Sequence, residues 1–331
     1  TYKQSICFLI LMLSGTVSSK PSSRRTLQLL IFTSKGPSFP AKGKISKYLP
    51  DMLDQYKVPI DTDQKLRSQH SGNGVRMDYQ LGYLISKQFT DFLEEQVKTK
   101  SDIYSVTSHS QTSSISAQSF LLGLFHRHPD IRDFTPVKEY SLPPFPGEAP
   151  DNQEIPSVLP HGYYPFPVHM MSFENDSLFK PYSPKVCERF FEVNPFQEDE
   201  TKRYRDRANE IVQNVPELIE VAKEVQDAEE LEYPYFKNNL EFIEFFNYLR
   251  DMRYFGQKFG LKTMVFFALN LCANVIKSIE YFDGEKLKLF LTPLLEHVKS
   301  NVSKLIESRK SPGGSLEYPK LLLYAGNNLN L

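Results

Sequence analysis

The chain of 331 residues has only three cysteines, no tryptophan and no excess of charge of either sign. Three cysteines are too few for the disulfide framework of a small secreted scaffold. Lys plus Arg number 39 against 40 Asp plus Glu, which argues against the basic excess typical of nucleic-acid binding. The composition also excludes collagen, coiled coil, multi-pass membrane protein and bulk disorder. With 40% hydrophobic residues, the sequence describes a globular protein of one large domain or two average ones.

The strongly apolar stretch lies at the beginning of the sequence. Lys3 precedes an apolar run, and small residues follow that run. A basic flank, a short apolar core and a small-residue exit are typical of a secretory signal peptide. As a helix, residues 5–17 would span about 20 Å, less than the roughly 30 Å hydrocarbon core of a membrane. We therefore predict a signal peptide or short hydrophobic anchor over residues 1–19 and a linker over residues 20–25.

Two Asn-X-Ser sequons agree with a secretory setting. They are Asn175-Asp-Ser177 and Asn301-Val-Ser303, and both asparagines are candidate glycosylation sites. The predicted localisation is extracellular or lumenal, lysosome-like, with a membrane-anchored protein as the alternative. The cysteines leave the redox state open, because Cys187 and Cys272 can form a bridge or stay as two thiols.

Hydrophobic periodicity predicts an α/β layer that surrounds a helical insertion. Apolar runs indicate buried strands, and apolar residues at helical spacing indicate amphipathic helices. Strands are predicted over residues 26–32, 102–106, 166–170 and 321–324, and helices over residues 79–97 and 113–125. Five more helices are predicted over residues 199–213, 216–226, 237–252, 258–281 and 285–309. The α/β layer then comprises residues 26–195 and 310–331, and the helical cap comprises residues 196–309. Further C-terminal strands are expected beyond residue 331.

Several segments resemble the motifs of the histidine acid phosphatase family. Residues 34–40, Ser-Lys-Gly-Pro-Ser-Phe-Pro, follow the first strand where the family carries R-H-G-x-R-x-P. Residues 103–125 are similar to its V-R-S-T-D-x-x-R-T-x-x-S-A stretch and following helix, and residues 323–331 to its late S-A/G-H-D-T-T-L motif. Order and spacing agree over residues 26–331. The resemblance, to branch 2 of the histidine phosphatase superfamily, implies a layered α/β sandwich with an inserted all-helical cap.

The resemblance also assigns catalytic positions. The family uses a histidine nucleophile, an arginine cluster that neutralises phosphoryl oxygens, and an acid that protonates the leaving group. The corresponding residues here are Ser34, Ser38 and Val106 for the arginines, Lys35 for the nucleophile, and Asn327 and Asn328 for the late histidine and the proton donor. Loss of a nucleophile costs on the order of 10⁶ in rate, and loss of one electrostatic donor about 10²–10³. This pattern predicts a pseudoenzyme without a catalytic site, acting by binding or structural support.

Two alternatives stay open. One is an accessory subunit of a larger membrane complex. The other is an acid phosphatase with relocated catalytic residues, in which Lys35 or His109 carries the chemistry. The expected partner is a protein of unknown identity. Neither nucleic acid, nor metal, nor cofactor is expected, and membrane contact is expected only if residues 1–19 are retained.

The other titratable residues fit structural roles. His126 and His128 flank Arg127 past a helix end, where the helix dipole favours cations, so we predict that they cap the helix. We interpret His169, in the predicted edge strand, as a hydrogen-bonded structural histidine. The acidic run at residues 227–232 lacks the spacing of a calcium loop, so we interpret it as a solvated segment.

Overall fold

The computed structural model divides the chain into two compact units. The first contains residues 1–35, 75–171 and 301–331, and the second contains residues 36–74 and 172–300. The structure describes residues 8–15, 25–40, 68–126, 128, 164–180, 185–192, 198–226, 236–257, 259–282, 284–310 and 318–326.

A five-stranded sheet forms the centre of the first unit. Its strands are β1 (Phe8–Gly15), β2 (Arg25–Ser34), β3 (Ile103–Thr107), β4 (Val168–Met170) and β5 (Leu321–Gly326). Their order across the sheet is β1-β2-β5-β3-β4. β1 pairs antiparallel with β2, whereas β2, β5, β3 and β4 run parallel. The last strand along the sequence therefore lies between two strands from the first third of the chain.

The two apolar runs of the sequence form the innermost strands. Leu29, Ile31, Leu321 and Leu323 are almost fully buried on one face of the sheet. On the other face Phe32 stacks on Tyr324, with ring centroids 5.0 Å apart. Both faces are covered, which explains why these strands are apolar at nearly every position instead of alternating.

β1 lies inside the segment that the sequence predicts as a leader. Phe8–Gly15 forms an edge strand, in which the antiparallel ladder to β2 satisfies one side of its backbone. The length estimate above treats this segment as a helix, whereas residues 8–15 form a strand. The assignment of residues 1–19 as a signal peptide or anchor stays a prediction.

Three helices lie in the first unit between β2 and β4. They are α1 (Gly72–Gln88), which begins in the second unit, α2 (Thr90–Gln96) and α3 (Gln111–Leu124). The single helix predicted over residues 79–97 is wrong, because Phe89 breaks it with φ −120° and ψ 29°. Around the break the Ser86 hydroxyl donates to the Tyr83 carbonyl, and the Thr90 hydroxyl donates to the Ser86 carbonyl. Such side-chain bonds to the preceding turn bend helices.

The second unit is mainly helical. Its helices are α4 (Arg189–Glu192), α5 (Glu198–Gln213), α6 (Pro216–Val225), α7 (Asn239–Tyr254), α8 (Thr263–Phe282) and α9 (Gly284–Lys310), the last of which ends in the first unit. Phe242, Phe245, Phe246 and Tyr248 of α7 are buried in its core. None of the described helices alone has the length and apolarity to cross a membrane. Thr263–Ile279 and Gly284–Glu307 meet both criteria only as a pair, which is bent by 83°.

Two glycines let α1 and α3 cross at backbone contact. A Cβ atom built on Gly82 would lie 2.0 Å from the Phe120 carbonyl oxygen, and one on Gly123 would lie 2.0 Å from the Tyr79 carbonyl oxygen. The obstructing atoms belong to the backbone, so no side-chain rotation can relieve the overlap. The crossing therefore depends on the missing Cβ atom at both positions.

We expect Gly82→Ala and Gly123→Ala each to lower the free energy of unfolding by at least about 2 kcal/mol, because each methyl forces the two helices apart. Chemical denaturation of the purified variants measures this change. Gln80→Ala, at an exposed position of α1, is the matched control and should change stability by less than about 0.5 kcal/mol. Wild-type stability in both glycine variants would contradict the crossing.

A buried ion pair holds the amino ends of β3 and β5 together. Asp102 precedes β3, and its Oδ1 lies 2.7 Å from Lys320 Nζ, just before β5. Its Oδ2 accepts hydrogen bonds from the backbone N–H groups of Lys98 and Thr99. Burial acts to raise the pKa of this carboxyl, but the bonds to Lys320, Thr99 and Lys98 outweigh burial and hold the pKa below its ordinary value.

Asp102→Asn should lower the free energy of unfolding by about 2 kcal/mol at neutral pH, because it removes the charge that these donors stabilise. The folded-state pKa is depressed, so this stabilisation is present above the ordinary aspartate pKa of about 4 and is lost as the pH falls through the folded-state value. Denaturation of both proteins at a series of pH values should show their difference shrinking only in acid. The exposed Glu94→Gln is the control. A difference independent of pH would refute the electrostatic explanation.

Candidate functional site

The carboxyl ends of three parallel strands meet in the first unit. The backbone N–H of Lys35, directly after β2, donates to the Gly326 carbonyl at the end of β5, with an N···O distance of 3.0 Å. On the opposite side of β5 the N–H of Ser108, directly after β3, donates to the Ala325 carbonyl at 3.2 Å. We call residues 34–35, 107–113 and 325–326 the carboxyl edge. In open α/β sheets ligands bind at this end of the strands.

Buried hydroxyl groups attach the start of α3 to this edge. The Ser108 hydroxyl donates to Ser113 Oγ at 2.9 Å, and the Ser113 hydroxyl donates to the Gly326 carbonyl at 3.5 Å. Ser108 and Ser113 are both fully buried. The Gly326 carbonyl thus accepts from the backbone after β2 and from the first turn of α3. The edge therefore has a fixed geometry.

The N-terminus of α3 favours negative charge at this edge. The first backbone N–H groups of a helix have no partner in the preceding turn, and the helix dipole is positive there. The first turn of α3 contains no acidic residue, and the side chain of the N-cap residue Ser110 accepts no hydrogen bond from it. Helix N-termini of this kind bind phosphate and other oxyanions.

Two residues with basic side chains belong to the same edge. Lys35 directly follows β2, and His109 lies between β3 and α3; both are half-buried. A lysine supplies a fixed positive charge, and a histidine can exchange a proton near neutral pH.

The loop after Lys35 belongs to the second unit, where the N-terminus of α1 fixes its shape. The Pro37 carbonyl accepts hydrogen bonds from the backbone N–H and the hydroxyl of Ser71, at 3.2 and 2.7 Å. Ser38 forms an antiparallel bridge with His70. Phe39 stacks on Phe255, with ring centroids 4.9 Å apart. The sequence gives no signal for His70, because about thirty polar residues without a recognisable motif separate it from Ser38.

The structure describes four of the six residues predicted from the family motifs. Ser34 and Lys35 end β2 at the carboxyl edge, whereas Val106 is fully buried inside β3, where it pairs with Tyr324 and His169. Ser38 is buried in the loop of the second unit. Asn327 and Asn328 lie outside the described residues.

Three further histidines of the first unit, His126, His128 and His169, lie outside the carboxyl edge. At the C-terminal end of α3, His126 Nδ1 lies 3.1 Å from the Gly123 carbonyl oxygen, and nearby His128 Nε2 lies 3.1 Å from that of Leu93. The contact of His126 agrees with the predicted capping of α3. The prediction is wrong for His128, because Leu93 belongs to α2. His169 is exposed, and its ring stacks on that of Tyr104 with centroids 5.3 Å apart.

The described residues contain no cluster of three His, Cys, Asp or Glu side chains that could hold a metal ion. Cys187 and Cys272 are both free thiols. Burial raises the pKa of the Cys272 thiol, which keeps it protonated. Of the two alternatives for these cysteines, the structure contains the unbridged one.

We expect Gly74→Ala to disturb the loop after Lys35. A Cβ atom on Gly74 would lie 2.2 Å from the Pro37 carbonyl oxygen and 2.7 Å from His70 Cε1. The variant should lose at least about 2 kcal/mol of unfolding free energy, because the Pro37 carbonyl belongs to the backbone and is held by Ser71. Thermal and denaturant melts measure the loss. Arg76→Ala, at an exposed position of the same helix, is the control, and equal effects of both substitutions would contradict this packing.

No protein-family profile and no curated protein matches the sequence. Solved structures with the same fold do exist. A phytase from Citrobacter braakii has 16% identity over 91% of this chain and 72% of its own, with a TM-score of 0.51. A multiple inositol polyphosphate phosphatase from Bifidobacterium longum, in complex with inositol hexasulfate, has 9% identity over 95% of this chain and 76% of its own, with a TM-score of 0.53. The complex of that phosphatase with phosphate covers 95% of this chain and 74% of its own at 10% identity, with a TM-score of 0.50.

At these identities the likeness establishes the fold. The chain has a mixed α/β fold with a parallel sheet and many helices, as the phytase and the inositol polyphosphate phosphatase have. The fold class expected from the sequence is therefore confirmed.

The prediction that the chain is not an enzyme is wrong. The solved structures reported above that share its fold are a phytase and an inositol polyphosphate phosphatase. The prediction rested on the changed residue types at the six motif positions.

Proposed function

We propose that the protein hydrolyses phosphate monoesters with groups of the carboxyl edge. The single observation that carries this proposal is the shared Gly326 carbonyl, which lies within 3.5 Å of both the Lys35 backbone nitrogen and the Ser113 hydroxyl oxygen. This arrangement joins the residue after β2 to the start of α3 at the centre of the sheet. It develops the alternative in which catalysis is relocated from the family's motif positions.

The proposed reaction needs charge neutralisation and proton transfer. The backbone N–H groups at the start of α3, together with the Lys35 ammonium, would neutralise the phosphoryl oxygens. The oxygen of a water molecule attacks phosphorus, and the bond between phosphorus and the ester oxygen breaks. His109 takes a proton from the attacking water and later releases it to solvent, while a water molecule on the opposite side of phosphorus protonates the leaving alkoxide, so that an alcohol and inorganic phosphate result.

The substrate class follows from charge and from the structural neighbours. A helix N-terminus with two basic residues suits a dianionic phosphate group better than a neutral ester. The neighbours are phytases and an inositol polyphosphate phosphatase, so phosphate esters of polyols are the first substrates to test. We also propose that the protein acts in the secretory pathway or in a lumenal compartment, as the sequence predicts.

We expect the purified protein to hydrolyse a generic aryl phosphate at mildly acidic pH. Lys35→Ala should lower kcat/KM about 10²–10³-fold, because it removes one electrostatic partner of the phosphoryl group. His109→Ala should lower kcat about 10²–10⁴-fold, because it removes the proton-transfer group. Initial rates of phosphate release, measured over a range of aryl phosphate concentrations, give kcat and kcat/KM for each variant.

Two control variants match these substitutions within the first unit. Lys304→Ala removes an exposed lysine of α9, and His126→Ala removes a histidine at the far end of α3, about 20 Å along the helix axis. Both should retain activity within about twofold of wild type. Absence of hydrolysis by the folded wild type, or equal activity in Lys35→Ala and Lys304→Ala, would refute the proposed site.

A further inference from the structure

The two Asn-X-Ser sequons lie in very different structural settings. Asn175 lies in an exposed turn after β4, whereas Asn301 lies inside the 27-residue helix α9. N-linked glycans are bulky and lie on the protein surface, so a folded protein tolerates one only at an asparagine whose side-chain nitrogen is accessible. The structure can therefore separate two sites that the sequence treats alike.

The turn at Asn175 directs neighbouring side chains to opposite sides. Asp176 is fully buried, and its Oδ1 accepts a hydrogen bond from the Phe179 backbone N–H at 2.8 Å. The Asn175 carbonyl accepts from the Ser177 N–H at 2.9 Å, which closes a tight turn over the sequon. The Asn175 N–H donates to the Ser172 hydroxyl at 3.2 Å. The backbone is thus fixed, while the Asn175 side chain is exposed.

The side chain of Asn301 is already used by the fold. Its Nδ2 donates to the Tyr324 hydroxyl at 3.4 Å. Tyr324 is 1% exposed and stacks on Phe32 in the two innermost strands. Burial raises the pKa of Tyr324 to about 12, so its hydroxyl stays neutral at physiological pH. A glycan at this nitrogen would replace an amide hydrogen beside the buried tyrosine and force a bulky sugar into the contact between α9 and the sheet.

We propose that Asn175 carries an N-linked glycan and that Asn301 does not. In the modification a bond forms between Asn175 Nδ2 and the anomeric carbon of an oligosaccharide held on a polyprenyl diphosphate donor. The bond between that carbon and the diphosphate oxygen breaks, the lipid diphosphate leaves, and one amide proton passes to solvent. The proposal depends on entry into the secretory lumen and is independent of the proposed hydrolase activity.

The test expresses the chain behind a cleavable signal sequence in eukaryotic secretory cells and measures its mass before and after treatment with a peptide-N-glycosidase. Ser177→Ala and Ser303→Ala each remove one sequon and leave its asparagine in place. We expect one glycan in the wild type, complete loss of that glycan in Ser177→Ala, and an unchanged glycan in Ser303→Ala. Ser177→Thr keeps the sequon and should keep the glycan.

Each other outcome overturns the proposal. A glycan that persists in Ser177→Ala, a loss of mass in Ser303→Ala, or two glycans on the secreted wild type would show that the structural distinction is wrong. Absence of any glycan would show that the exposed turn is not an acceptor.

Discussion

The parallel pairing of β5 with both β2 and β3 is the interaction on which the rest of the structure depends. It brings a segment from the last part of the sequence between two strands from the first third. It places Gly326 where residues after β2 and in α3 can reach the same carbonyl. It also creates one buried face for Leu29 and Leu321 and another for the stacked rings of Phe32 and Tyr324. Without this pairing neither a two-sided core nor a carboxyl edge would exist.

Much of the fold could be predicted because its signals are local. The apolar runs at residues 26–32 and 321–324 indicate strands buried on both faces, and these form the two innermost strands. Helical periodicity likewise predicts the helices of the second unit. The break at Phe89 was missed because the apolar pattern continues through it. Two hydroxyl groups that bond back to the preceding turn accompany this break, and periodicity does not register them.

The candidate site was less predictable, because its parts are distant along the chain. The motif comparison drew attention to Ser34 and Lys35 after the first strand, and the structure places both at the carboxyl edge. The Ser113 hydroxyl donates to the Gly326 carbonyl of β5 and the Ser108 hydroxyl donates to Ser113, and no spacing in the sequence expresses these contacts. The backbone N–H groups at the start of α3 are equally hidden from a comparison of residue types, because every sequence contains such groups.

The position of β5 also has a consequence for synthesis of the protein. The Gln28 side chain donates to the Pro319 carbonyl across 291 residues of sequence. The strands β2 and β3 leave the ribosome long before β5, which later pairs with both of them. During that interval the edge of each strand that will pair with β5 stays unpaired and exposed. Formation of the core must then be a late, non-local step, and such steps are slow. A chaperone that binds apolar strand edges of the nascent chain would therefore be needed mainly before β5 is synthesised.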